Sequence, residues 1–378
     1  MVKICNIETF QVGMPLTKTF TSGNKSKNTT RCLVVRVTAD DGTVGISSVD
    51  PSTRAVFPDN VEALDDTILK HLAPLLMGEN PTKINRILQL IEAPTKNQLG
   101  ARAGIELACI DLTCRLMNIS LCQYLGGPIT DTVLFNGWVG ELPPDEAKVE
   151  AMGWQDLGFK SLKIKVGSNL EQDIARINAI YENLNSSMKL RIDANEQYTV
   201  EEAKFLCDAV KNCDLQLFEQ PIHRDNLDGL FEIRKKSQIP IMADESVGDH
   251  ESLLKVLKAD CADIVKFGLT QAGGMTAASR MIASAEAANV KVVIGHGFGL
   301  NLSTMAEIMI GATSNNVLPG LECVGPLKVT DTVTNEQIDI SSGEMTLTEK
   351  IGHCLNVLMI VGLILNPIWG GSLMNSLH

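Results

Sequence analysis

A chain of 378 residues, 44% apolar and 21% charged, has the means to bury a large core in one or two domains, which excludes wholesale disorder and disulfide-stapled miniproteins. Its 33 Lys and Arg against 45 Asp and Glu give a net charge of -12 with no gathered basic run, which makes nucleic acid a poor partner. Ten cysteines with no CxxC pair fit neither a zinc site nor a secreted disulfide framework and read as reduced thiols of a cytoplasmic protein.

The amino end, MVKICNIETFQVGMP, lacks the basic start and cleavage site of an export signal and reads as a strand. TFTSGNKSKNTT is polar and rich in short hydroxyl side chains, so a mobile lid loop is expected at about residues 20–30. TRCLVVRVTADDGTVGIS reads as a hairpin turning at Asp41-Gly42. From Asn60 to Leu125 the apolar spacing is helical, and Gly126-Gly127-Pro128 ends it. Residues 1–128 are therefore expected to form an α+β capping domain.

After residue 130, short apolar runs alternate with amphipathic helices such as EEAKFLCDAVKN, HESLLKVLKA and MTAASRMIASAEAAN. The strand candidates are VLFNGWV, SLKIKVG, KLRIDAN, LQLFEQP, PIMADES, DIVKFGL, KVVIGHG and VLPGLECVG. Eight strand–helix units over 129–325 fit an α/β fold of the (β/α)8 type, a TIM-like barrel, better than an open sheet. Residues 326–378 would return to the cap, with an atypical apolar tail from about 351. Within it, Val357 to Leu365 is too short to span a membrane.

Nearly every one of these strands ends in an ionisable residue, where a buried parallel strand should be apolar. Lys163 and Lys165, Asp193, Glu219, Asp244, Lys266, His296 and Glu322 follow at intervals of roughly 25 residues, about one strand–helix unit. All would emerge at the carboxyl ends of the strands, where barrel enzymes place their chemistry. Three converging carboxylates, Asp193, Glu219 and Asp244, suit a hard divalent cation; Mg2+ is expected, with Mn2+ as a substitute. Lysine serves as a base near neutrality only if cations or burial lower its reference pKa of about 10.4. Lys163 and Lys165 share one strand face, and Lys266 comes from another side, so two amines could serve opposite faces of a bound carboxylate. Asn195, Glu245, His296 and Glu322 are weaker candidates for substrate contact. Gly273-Gly274 could receive an anion at the following helix start, although no nucleotide motif accompanies it.

KIK, RIDAN, FEQP, ADES and DIVK, in that order and spacing, resemble the enolase superfamily, specifically its muconate lactonizing enzyme subgroup. The resemblance runs from about residue 1 to 330. It implies a capped barrel in which Asp193, Glu219 and Asp244 bind Mg2+. It also implies that Lys165 and Lys266 are bases on opposite faces of the substrate, and that Lys163 helps hold its carboxylate. The implied first step is removal of the proton α to the carboxylate of a small acid. On that basis the expected activity is a muconate-type cycloisomerase, ahead of an N-acylamino acid racemase or dipeptide epimerase and an acid dehydratase. The rival of another class is a non-catalytic barrel that only binds. No membrane or nucleic acid is implied, and a homo-oligomer is compatible with the barrel.

The sequence departs from the subgroup in three places. GHGFGLNLSTMAE carries a histidine more like the mandelate racemase subgroup, and GISSVD stands where relatives have a GWGE-like turn. After Lys350 the composition changes so sharply that a frame change is one reading and a closing helix buried against the cap the other.

Overall fold

The computed structural model describes residues 2–22, 25–51, 60–295, 297–347 and 352. His296, the Gly23-Asn24 tip of the expected lid and all of the apolar tail except Gly352 lie outside the described residues.

Strands β1 (Ile4–Ser22), β2 (Lys25–Ala39) and β3 (Val44–Val49) form an antiparallel sheet in that order. The polar stretch expected to be a loop is part of it: Phe20 pairs with Lys27, Thr21 with Ser26 and Ser22 with Lys25. Threonine suits a pleated strand as well as a loop, and long antiparallel pairing satisfies the backbone where polarity alone pointed to a loop. Behind the sheet lies the helix Leu99–Met117. It approaches β3 so closely that a Cβ on Gly45 would sit 2.2 Å from the Ala108 carbonyl oxygen. Ser47 Oγ donates to the Gly104 carbonyl at 2.7 Å, and Asp111 accepts from the Ile46 amide at 3.0 Å.

The second sheet contains β5 (Asn136–Val139), β6 (Ser161–Lys165), β7 (Lys189–Asp193), β8 (Leu215–Glu219), β9 (Ile241–Ala243), β10 (Ile264–Phe267) and β11 (Lys291–Ile294). They pair in parallel in that order, with helices in the connections, as a (β/α)8-type barrel requires. The expected first strand is divided: β4 (Thr132–Leu134) pairs instead with β12 (Glu344–Thr346). The expected eighth strand is not a regular ladder. It closes the ring through single parallel bridges, Val292 to Val317 and Phe135 to Leu321. Pro319 has no amide to donate and Gly320 turns at φ +85°, so continuous pairing cannot pass through them.

Cap and barrel are fastened at the helix Met275–Ala287. Glu106 of the cap helix accepts from the Thr276 amide at 2.9 Å, so its buried carboxyl takes the helix start that Gly273-Gly274 appeared to offer an external anion. A Cβ on Gly274, at φ +119°, would lie 1.7 Å from Glu106 Oε2. The segment after the eighth stave also runs back to β1, where the Thr17 amide donates to the Lys328 carbonyl and the Thr330 amide to the Pro15 carbonyl. Among the described residues no helix is long and apolar enough to cross a membrane. Every cysteine described is a free thiol, and all but Cys5 are buried.

Candidate active site

Leu217, Met242, Ile264 and Val293, with Leu318 packed on them, form a dry plug inside the barrel. Strand alternation places Glu219, Asp244 and Lys266 two positions beyond the first three, on the same inward face. Lys165, Asp193 and Glu219 are register partners across β6, β7 and β8. After β9, Gln220 Oε1 accepts from the amides of Asp244 and Ser246, fixing the turn that carries Asp244.

The sequence-predicted residues meet. Lys165 Nζ donates to Asp193 Oδ2 at 2.6 Å and Asn195 Oδ1 at 2.5 Å; Asn195 Nδ2 in turn donates to Glu245 Oε1 at 2.9 Å. Lys163 Nζ lies 3.0 Å from Glu219, 2.5 Å from Glu322 and 3.2 Å from Asp193. Lys266 Nζ lies 2.8 Å from Glu219, 2.8 Å from Glu322 and 3.3 Å from Asp244. A row of carboxylates thus runs from Asp193 through Glu219 to Asp244, with Lys165 at one end and Lys266 at the other. His296 falls outside the described residues, so its place in the row is not given.

Two arginines absent from the sequence reading support the row. Arg191, fully buried two residues before Asp193, donates to the carbonyls of Gly320 and Pro319, both at 2.7 Å, and lies 3.5 Å from Glu322. Strand alternation within RIDAN held that signal, because Arg191 shares the inward face of Asp193. Arg176 donates to the carbonyl of Lys165 at 3.0 Å and that of Leu142 at 2.5 Å. It is held by Asp173, which also accepts from Tyr198 Oη and the Gly167 amide. Only its i,i+3 spacing from Asp173 could be read from the sequence, because its carbonyl partners Lys165 and Leu142 lie outside its helix.

Charge is unevenly borne. Burial works against the Asp193 carboxylate, but Lys165 and Lys163 hold its pKa well below the usual range. Glu322 is likewise held low against burial by Lys163, Lys266 and Arg191. Glu219 goes the other way, because burial and the charge of Asp193 outweigh its two ammonium partners. Lys163 departs from the expected depression: burial would lower it, but Glu219 and Glu322 outweigh burial and keep it an ammonium.

Among the described residues no group of three or more ligating side chains closes around one position, and ammonium groups bind the carboxylates together. The donor set still fits a hard cation. All its atoms are carboxylate oxygens on adjacent stave ends, the donor chemistry that a hard divalent ion takes.

The model described as "Mandelate racemase / muconate lactonizing enzyme, N-terminal domain" matches residues 4–126, and "Enolase C-terminal domain-like" matches residues 146–359. The chain belongs to the mandelate racemase/muconate lactonizing enzyme family of the enolase superfamily. It is similar to the L-Ala-D/L-Glu epimerase of Bacillus subtilis, 32% identical over 93% of this chain and 96% of that protein. It is also similar to the chloromuconate cycloisomerase of Cupriavidus pinatubonensis, at 25% over 93% and 96%. The dipeptide epimerase of Enterococcus faecalis, solved with Mg and the dipeptide L-Leu-L-Tyr, superposes with a TM-score of 0.88 at 26% identity, covering 93% of this chain and 99% of that one. Members of this superfamily are Mg2+-binding enzymes, and this chain is an enzyme of that superfamily.

Proposed function

We propose that the enzyme racemises or epimerises an N-acylated amino acid or dipeptide by moving the proton α to its carboxylate. The observation that carries this reading is the placement of Lys165 and Lys266 at opposite ends of the carboxylate row. The 32% identity to an epimerase over nearly the whole chain supports it over the cycloisomerase suggested by the motifs.

Asp193, Glu219 and Asp244 would hold Mg2+, which when bound supplies positive charge for the substrate carboxylate as its α-carbon loses a proton. Lys165 takes the proton from one face, breaking C–H and forming N–H. The electron pair moves into the carboxylate as an enolate, and the Lys266 ammonium returns a proton to the other face. Lys163 is assigned to charge stabilisation, because its two glutamates keep it protonated across neutral pH. Asn195 would hold Lys165 in place, with Glu245 behind it. The 25% identity to a cycloisomerase keeps lactone formation as the second reading, in which the same lysine row runs the step in reverse.

Exchange of the α-hydrogen with deuterated water over a panel of N-acyl amino acids and dipeptides, with Mg2+ and with chelator, tests this. Wild-type protein should exchange both stereoisomers only with metal, and Lys165→Ala and Lys266→Ala should each lose one stereoisomer. Equal loss of both by either variant overturns the two-base assignment, and lactone formation from a dienoic diacid without amino acid exchange favours the second reading.

A further inference from the structure

Between Asp193 and the helix Val200–Ala209 the chain makes a tight turn, which the proposed proton transfer uses only through Asn195. The Gln197 amide donates to the Ala194 carbonyl at 3.0 Å, and both residues between them are left-handed, Asn195 at φ +43° and Glu196 at φ +72°. Two successive positive angles characterise a type I′ turn, whose ordinary occupants are glycine, asparagine and aspartate. Asn195 suits it. Glu196 does not, because a Cβ in that conformation crowds the following carbonyl, and a glutamate lacks the short local hydrogen bonds that let asparagine in.

What grips Glu196 is Arg224, delivered by the loop after β8. The Arg224 amide and Nε both donate to Glu196 Oε1 at 2.7 Å, and Nη2 donates to Oε2, so a planar fork holds both carboxylate oxygens. With side chains only 25% and 14% exposed, this pair is better shielded than an ordinary surface bridge. The fork also stands on fixed ground: Ser246 Oγ donates to the Arg224 carbonyl at 2.9 Å and accepts from Gln220 Nε2 at 3.0 Å. On the inner side of the turn, the Glu196 amide donates to the Gln220 carbonyl at 2.9 Å, and the Asn195 amide to Asp193 Oδ1 at 3.0 Å. A backbone conformation that costs free energy persists only when its surroundings over-determine it. Here the strained pair adjoins the reacting groups, since Asn195 Oδ1 accepts from Lys165 Nζ at 2.5 Å.

We infer that Arg224 is a positioning residue for the proton transfer: through Glu196 it holds the 194–197 turn in its left-handed form and so keeps Asn195 on Lys165. Without the fork, Glu196 relaxes out of the left-handed region and takes the neighbouring Asn195 carboxamide with it. Lys165 then loses the partner that aims it, while Lys266, on the far side of the carboxylate row, keeps its own. This rests on the proposed assignment of Lys165 as the base on one face of the substrate.

The test uses the full chain with Mg2+ and compares Arg224→Met, Arg224→Lys and two double variants, in which Arg224→Met is joined to Glu196→Ala or to Glu196→Gly. Both doubles remove the carboxylate that Arg224→Met strands, but only glycine relieves the left-handed backbone. One readout is amide hydrogen exchange at residues 195 and 196, which needs no turnover. The other is α-hydrogen exchange of the two enantiomers of N-acetylalanine and of the dipeptides L-Ala-L-Ala and L-Ala-D-Ala. Arg224→Met should speed amide exchange by about tenfold or more and lower kcat roughly 10–100-fold for the stereoisomer served by Lys165, with KM and the other stereoisomer little changed. Arg224→Lys should fall between, because a point charge cannot grip both oxygens. The glycine double should recover most of both losses and the alanine double should not. Equal loss for both stereoisomers, equal recovery by the two doubles, or unchanged amide exchange in Arg224→Met overturns the inference. If the amides behave as expected but no probe exchanges its α-hydrogen in wild-type protein, the hold on the turn stands and the proton-transfer reading fails. If wild-type exchange proceeds as proposed and Arg224→Met leaves it untouched, the reaction stands and the positioning role fails.

Discussion

The floor of the site and its mouth are both rich in charge, yet they are built differently. On the floor, Lys163 and Lys266 each touch Glu219 and Glu322, every one of these groups is buried, and each is carried by a barrel stave. At the mouth the amines of Lys27 and Lys328 meet aromatic rings, and both come from outside the barrel strands. The groups that share one buried charge network stand on barrel staves, whereas the outer amines stand on segments free to differ.

The largest test of this contrast removes a shared floor charge. Glu219→Gln keeps the shape of the side chain but leaves two buried ammonium groups short of a counter-charge, and breaking such a pairing costs about 3–5 kcal/mol. Exchange should fall by about a thousandfold or more on both faces, measured by NMR in deuterated water with circular dichroism as the folding control. A folded variant that retains more than a tenth of the activity would show that the floor is not one electrostatic unit.

A smaller and more selective loss is expected beneath Lys165. Arg176 fastens the carbonyls of Lys165 and Leu142 while Asp173 and Tyr198 hold it from behind. Arg176→Lys cannot bridge both carbonyls with one planar group, so β6 should lose its stop just where Lys165, the proposed base, leaves the strand. A displacement of about 1 Å costs on the order of a hundredfold. The expected outcome is a roughly 10–100-fold drop in exchange for the stereoisomer served by Lys165, with a much smaller drop for the one served by Lys266. Equal loss on both faces would mean that Arg176 supports the fold as a whole.

This division also explains what could be read from the amino acids alone. Asp193, Glu219, Asp244 and Lys266 were legible because each interrupts an apolar strand at a repeated interval, and the barrel converts that interval into adjacency. Glu322 was legible as a stave end, although its stave pairs only through isolated bridges around Pro319-Gly320. Residues 20–22 and 25–30 read as a loop but lie in paired strands, because hydroxyl side chains serve loops and strands alike and only the pairing partner distinguishes them. Lys328, Trp138 and Phe298 gave no signal, since they meet across three segments whose approach is set by packing of cap on barrel. Glu106 escaped for the same reason: its role as the anion at a barrel helix start depends on a contact 170 residues away.

The finest test concerns Glu307, a buried carboxyl behind the floor. Glu307 accepts from the Leu269 amide at 3.1 Å, just past the strand carrying Lys266. Burial pushes its pKa up to about 8, against the opposing pull of that amide and of Lys266. An unfolded glutamate titrates near pH 4.3, so between about 4.3 and 8 the folded state keeps a proton that the unfolded state has released. The sign follows: stability is greatest below the unfolded pKa and falls with rising pH until the folded pKa is passed, by up to about 1.4 kcal/mol per pH unit. Glu307→Gln keeps an acceptor for the Leu269 amide and removes the titration. Urea denaturation at intervals from pH 5 to 9 should show the stability of the variant rising relative to wild type up to about pH 8 and then levelling. Parallel curves for the two proteins would mean that Glu307 is ionised when folded, and that the floor behind Lys266 is less dry than the floor beneath Lys163.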